Sequence, residues 1–129
     1  MRIKTFDKIL LEAVDEALAS LGDSAKQAIY FHLESKFKIS KDEIPSNVNV
    51  FANGLEKIFG AGAKFLEILI MKKLYERIGK PLELDTNKEL EFVDYVEAAK
   101  RTFTKRKQDE AKIAKFLEPK ARELSSEAV

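Results

Sequence analysis

Apolar residues recur at intervals of three and four along almost the whole chain, the spacing that places them on one face of an α-helix. The first such row runs from Phe6 through Leu10 and Val14 to Leu18. No stretch alternates apolar and polar residues cleanly enough to be a strand. A chain of 129 residues has the size of a single domain. The sequence therefore predicts an all-α fold, a compact bundle of about five helices.

Glycine, proline and capping residues divide the apolar rows into separate helices. We expect Gly22 to end the first helix, and Ser24 with Gln27 to form a capping box that begins the second. The second helix should end near Phe37, before a short turn that Pro45 prevents from continuing. The other predicted helices run from residue 46 or 47 to Gly60, from Ala63 to Ile78, and onward from a cap at Thr86 and Glu89.

The last two helices differ in how their apolar residues are arranged. Ala63–Ile78 is apolar nearly all round, which is typical of a central helix surrounded by others. The last helix keeps an apolar row as far as Phe103, and residues 104–110 are then all polar or charged. We expect a helical core domain over residues 1–103 and a charged helical extension with a frayed tail over residues 104–129. The long C-terminal helix should therefore project in part from the bundle.

Charge and cysteine content narrow the classes of function. Lysine and arginine number 23 and aspartate and glutamate 22, so the net charge of +1 provides no general attraction to nucleic acid or to an acidic membrane. The chain has no cysteine, which excludes disulfides and thiolate catalysis and fits a reducing cytoplasm. The longest apolar stretch, Phe65–Met71, is too short to cross a bilayer. We expect a cytoplasmic protein that does not bind membranes.

A series of helix caps and core residues in the middle of the chain carries a family resemblance. It consists of Leu21-Gly22-Asp23-Ser24, Ala28-Ile29-Tyr30, His32-Leu33, Ile44-Pro45, Leu55-Glu56, Ile58-Phe59-Gly60, Gly62-Ala63, Glu67, Ile70 and Leu74. Over about residues 18–79 the chain resembles a small archaeal helical family, the Nitrosopumilus output domain. The resemblance implies an archaeal cytoplasmic protein with a role in signalling output or interaction. It identifies no catalytic residue.

The single histidine and one interrupting glutamate are the candidates for a polar pair in the core. His32 lies on the inward face of the second helix, and Glu67 interrupts the most apolar helix. The structural alternatives are a histidine at the core edge with one hydrogen-bond partner, and a glutamate at the rim paired with Lys64, Lys72 or Lys73. An enzyme or ligand site around His32, Tyr30 and Glu67 is the least favoured hypothesis. We predict no catalytic residue, no metal site and no cofactor.

A basic cluster lies where the last helix leaves the predicted core. The candidate phosphate contacts are Arg101, Lys105, Arg106 and Lys107. On a projecting helix these side chains could bind nucleic-acid phosphates independently of sequence. A solvated helix face is the favoured alternative, because Asp109 follows closely and no motif of a DNA-reading fold is present.

An apolar group returns on the extension, after the polar stretch. Its candidate interaction residues are Ile113, Phe116 and Leu117. An exposed helix with such a row requires a partner, and the expected partner is a second copy, forming a homodimer, or another protein. The sequence therefore predicts a non-catalytic helical protein-interaction or signalling-output module. A nucleic-acid-associated protein that uses the basic C-terminal helix is the alternative.

Overall fold

The computed structural model describes the backbone of residues 5–127 and the side chains of residues 5–118, and every regular element within this range is helical. The α-helices are α1 Phe6–Ala19, α2 Asp23–Phe37, α3 Val48–Phe59, α4 Ala63–Ile78 and α5 Phe92–Glu127. Two short 3-10 segments connect α2 to α3 and α3 to α4, at Lys41–Ser46 and Gly60–Gly62. The predicted all-α class is confirmed.

Helix α1 forms one wall of the core, as its apolar row predicts. Thr5 Oγ1 accepts a hydrogen bond from the backbone N–H of Lys8 at 3.2 Å, which satisfies one of the free donors at the helix start. The apolar residues of α1 from Phe6 to Leu18 are buried except Leu11, which is partly buried, and α1 packs chiefly against α4. Leu21, which follows the end of the helix, is exposed.

Helix α4 is the central helix, because it contacts α1, α3 and α5. Ile70, Met71 and Leu74 are completely buried in the middle of the bundle. Gly79 ends the helix at φ 68°, in the left-handed region that favours glycine. The burial is not uniform around the helix, since Phe65 remains 79% exposed. The prediction of a central α4 is confirmed, and its first turn has one face open to solvent.

Helix α2 departs from the prediction at its start and along its inner face. It begins at Asp23 with Gly22 at the cap position, and no side chain caps it, so the predicted capping box of Ser24 and Gln27 is wrong. Only Ile29 and Leu33 are buried. Because α2 lies at the edge of the bundle against α1 and α3, much of its apolar surface faces solvent.

Helix α5 begins later than the sequence predicts, at Phe92, and Thr86 does not cap it. The preceding connection is held by Asp85, whose backbone N–H donates to Tyr95 Oη at 3.1 Å. Phe92, Val96 and Ala99 are buried against the core, whereas Val93, which belongs to the predicted apolar row, is only partly buried. The bond from Asp85 to Tyr95 ties the connection to the first turn of α5.

The second half of α5 extends beyond the bundle. Every side chain from residue 104 to residue 118 is exposed. The backbone remains helical past Pro119 to Glu127, whereas the sequence predicts fraying from Lys120. Residues 128 and 129, and the side chains beyond residue 118, lie outside the described part of the predicted tail.

Candidate functional site

The three apolar candidates on the α5 extension are exposed to solvent. The exposed fractions are 58% for Ile113, 66% for Phe116 and 51% for Leu117. Positions 113, 116 and 117 are three and four residues apart, so the three side chains share one face of the helix. Large apolar side chains grouped in this way lose contact with water when another surface covers them. This group is the apolar face of the extension.

The four cations of the basic cluster are not equivalent, because Arg106 makes a hydrogen bond to another helix of the same chain. Its guanidinium Nη1 donates a hydrogen bond to the carbonyl oxygen of Ile78, the last residue of α4. Carbonyl groups at the end of a helix lack partners within the helix, and a positive charge there also favours the helix dipole. Arg106 therefore ties α5 to the end of α4. Its use as a phosphate contact, which stays a prediction, would compete with this bond.

The remaining basic candidates are spread around α5. Lys107 Nζ lies 3.4 Å from Glu110 Oε2 and 5.6 Å from the centre of the Phe103 ring, so its charge has contacts within the helix. Arg101 and Lys105 are exposed. With Arg106 bound to a carbonyl and Lys107 beside a carboxylate, two of the four candidates are already in contact with acceptors of the same chain. This arrangement weakens the hypothesis of a nucleic-acid surface.

His32 is partly buried, on α2 at the edge of the bundle. Its ring is 6.1 Å from the ring of Phe31, edge to face, and it lines a shallow depression together with Lys36 and Lys57. Glu67 lines a different depression on the other side of α3. The structure therefore does not bring His32 and Glu67 together, and the predicted polar core pair is not formed.

Glu67 is buried, with only 3% of its surface exposed. Its Oε1 atom has no hydrogen-bond partner in the part of the chain that the structure describes. The predicted alternative of a rim position is wrong, because Lys64 binds Glu89 at 3.6 Å and Lys73 binds Glu16 at 3.1 Å. Burial raises the pKa of Glu67 above its usual value. The effect of Glu56 on this pKa is in the same direction, whereas Lys64 lowers it.

An ionic cluster centred on Asp15 was not visible in the sequence. Asp15 Oδ1 accepts hydrogen bonds from Tyr30 Oη and Lys41 Nζ, both at 3.1 Å, and Lys26 Nζ lies 3.4 Å from Oδ2. Although burial raises the pKa of Asp15, these partners outweigh it, and the pKa is lowered overall. Burial, followed by the charge of Asp15, raises the pKa of Tyr30. The cluster joins α1, α2 and the 3-10 segment, which indicates a structural role for Tyr30 rather than a catalytic one.

No protein-family model, curated protein or solved structure matches this chain. Among residues 5–118, no three histidine, aspartate or glutamate side chains converge so that they could hold a metal ion. None of the helices in the described range combines the length and apolar composition needed to cross a membrane.

Proposed function

We propose that this protein is a helical interaction module that acts by self-association, with its α5 extension pairing with the extension of a second copy. The observation that carries the proposal is the apolar face formed by Ile113, Phe116 and Leu117, which is more than half exposed at each residue. Pairing with a second copy would remove these side chains from water on both chains at once.

The apolar face continues the row by which α5 packs into its own domain. That row passes through Phe92, Val96, Ala99 and Phe103 at intervals of four and three. The same intervals lead on to residues 106, 110, 113 and 117. A helix face that is apolar on both sides of its exit from the core favours a helical partner on the exposed part.

Charge favours an antiparallel pair over a parallel one. In a parallel pair in register, Glu110 would face Glu110 of the second copy, and like charges repel. In an antiparallel pair centred on residue 115, Ile113 lies opposite Leu117 of the second copy. Residue 110 then lies opposite residue 120, which is a lysine in the sequence. Exposed ion pairs contribute about 0–1 kcal/mol each, so they select the orientation while apolar contact provides the affinity.

We also propose a cytoplasmic location and a role in signalling for this protein. A chain without cysteine is suited to a reducing compartment, which supports a cytoplasmic location. The resemblance of residues 18–79 to the archaeal output domains supports an interaction role in signalling rather than catalysis. In this proposal the core domain is the interaction module, and the α5 extension joins two copies of it.

The test is the molar mass in solution, measured by light scattering at protein concentrations from roughly 1 µM to 1 mM. The full chain should shift from one copy to two as concentration rises, because a patch of three side chains gives a weak dimer. The variant Ile113→Gln with Leu117→Gln should remain a single copy. Truncation at Thr104 is unsuitable, since it would also remove Arg106 from the end of α4.

The matched control is Lys115→Gln, because residue 115 lies on the opposite side of the helix from residues 113 and 117. This variant should dimerise like the unaltered chain. A full-length protein that stays a single copy over the whole concentration range would refute self-association. Equal dimerisation of the Ile113→Gln, Leu117→Gln variant would move the interface away from the extension.

A further inference from the structure

A groove between α3, α4 and the start of α5 contains the one buried charged side chain among the described residues. Its volume is about 560 Å³, within the range of pockets that hold small molecules. Asn49, Asn53 and Glu56 line it from α3, and Lys64 and Glu67 line it from α4. We refer to this feature as the α3–α4 groove.

Glu67 provides an unused hydrogen-bond acceptor in the wall of the groove. Its Oε1 atom is inaccessible to water and has no partner among the described residues. A buried polar atom without a partner costs about 1–3 kcal/mol, so few such atoms occur in folded proteins. The torsion that carries a carboxylate is broad, so rotation at the end of the side chain can present either oxygen to the groove. The position requires a donor that the described part of the chain does not provide.

The charges around the groove indicate that this donor should be positively charged. Glu56, Glu67, Glu89 and Glu91 contribute carboxylates, against the single ammonium of Lys64. Lys64 is already paired with Glu89. The described carboxylates do not converge as metal ligands do, which argues for an organic cation rather than a metal ion. A positively charged N–H donor would satisfy Oε1 and reduce the repulsion between carboxylates.

Apolar and polar groups in the groove narrow the class of ligand further. Ala52, Leu90 and Phe92 provide apolar surface beside the carboxylates, which suits a short hydrocarbon chain. The side-chain oxygens of Asn49 and Asn53 can accept further N–H bonds at the rim. A compact ammonium has three donors, which matches one carboxylate together with neighbouring amide oxygens.

We propose that the α3–α4 groove binds the primary ammonium group of a small aliphatic amine, with the Glu67 carboxylate accepting its N–H hydrogen bonds. This site lies on the core domain and does not depend on self-association through α5. Binding provides the partner that the buried Glu67 oxygen lacks and stabilises the ionised carboxylate. The raised pKa of Glu67 in the free protein fits this chemistry, since burial disfavours the unpaired carboxylate.

The test follows the side-chain carboxyl resonances of the full chain by carbon-detected NMR while n-butylammonium chloride is added at neutral pH. The Glu67 resonance should move in a saturable way. Tetramethylammonium chloride at the same ionic strength should not reproduce the shift, because it carries the charge without an N–H donor. Affinity for n-butylammonium, measured by calorimetry, should fall about 10- to 100-fold in Glu67→Gln.

The matched control is Glu76→Gln, which removes an exposed carboxylate from the same helix and should leave the affinity unchanged. Glu67→Gln preserves the size of the side chain, and circular dichroism checks that it is folded. A Glu67 resonance that responds equally to both cations, or not at all, would overturn the proposal. Equal affinity of the Glu67→Gln variant and the unaltered chain would also overturn it.

Discussion

Replacing Arg106 with alanine should destabilise the core domain, although Arg106 lies in the most highly charged segment of α5. In the structure its guanidinium donates to the carbonyl of Ile78 at the C-terminus of α4. The substitution leaves this carbonyl without its donor and removes a positive charge from the negative end of the helix dipole. The effect therefore appears in folding and not only in surface charge.

The magnitude follows from the type of bond and its exposure. A hydrogen bond to a charged group contributes about 1.5–3 kcal/mol, and a favourable charge at a helix end about 0.3–1 kcal/mol. Arg106 as a whole is exposed, so solvent screening reduces the sum, and we expect a loss of about 1–2 kcal/mol in the free energy of unfolding. For a domain of this size the melting temperature should fall by roughly 4–8 °C.

The assay is thermal and urea unfolding followed by far-ultraviolet circular dichroism, at a concentration where the chain is a single copy. Lys105→Ala is the matched control, because Lys105 is the adjacent exposed cation and should change stability by less than about 0.5 kcal/mol. Arg106→Lys retains the charge but loses the planar donor group, and should fall between the two. Equal effects of Arg106→Ala and Lys105→Ala would refute the structural role of Arg106.

Three further predictions test burial, packing and orientation. Because folding raises the pKa of Glu67, the protein loses stability as pH rises above the usual glutamate range. Glu67→Gln should therefore stabilise the protein at neutral pH and have little effect in acid. Equal effects on urea unfolding at both pH values would contradict this prediction. A Cβ added at Gly54 would lie 2.6 Å from Leu33 Cδ2. Gly54→Ala should lower the free energy of unfolding by about 1 kcal/mol, because a repacking cost of about 1–3 kcal/mol exceeds the helix-propensity gain of about 1 kcal/mol. An increase in the free energy of unfolding would show that α2 and α3 separate easily. In this cysteine-free chain a spin label at Lys105→Cys should give a distance of about 30 Å between copies in the antiparallel dimer, whereas a distance of about 10 Å would indicate parallel pairing.

The accuracy of the sequence predictions varied with how local the signals were. The bounds Ala63–Ile78 of α4 were predicted at both ends, because small residues precede the helix and Gly79 ends it. A capping box of a serine and an acidic residue forms at Ser40 and Glu43, with Ser40 N–H and Oγ both donating to Glu43 Oε1. The box at Ser24 does not form, since the cap position is two residues earlier, at Gly22. A capping pattern identifies a helix start only approximately when a neighbouring residue can take the same position.

The candidate sites were harder to predict than the helices. The sequence identified Ile113, Phe116 and Leu117 as an exposed apolar group, and all three are exposed. It treated Arg106 as equivalent to Lys105, because residue type and spacing do not show what lies across from a side chain. Glu67 was recognised as a residue at risk of burial, and its pairing with His32 was wrong because α3 separates the two depressions.

The sequence by itself determined the helical class, the buried row of α1, the central position of α4 and the polar break that separates the extension from the core. These properties depend on residues three or four apart, which a helix brings together wherever it packs. Only the tertiary structure decided that Arg106 binds Ile78, that Asp15 gathers Lys41 and Tyr30, and that Glu67 lacks a partner. Such contacts join residues 15 to 28 positions apart or leave an atom unpaired, and they depend on how whole helices are placed against each other.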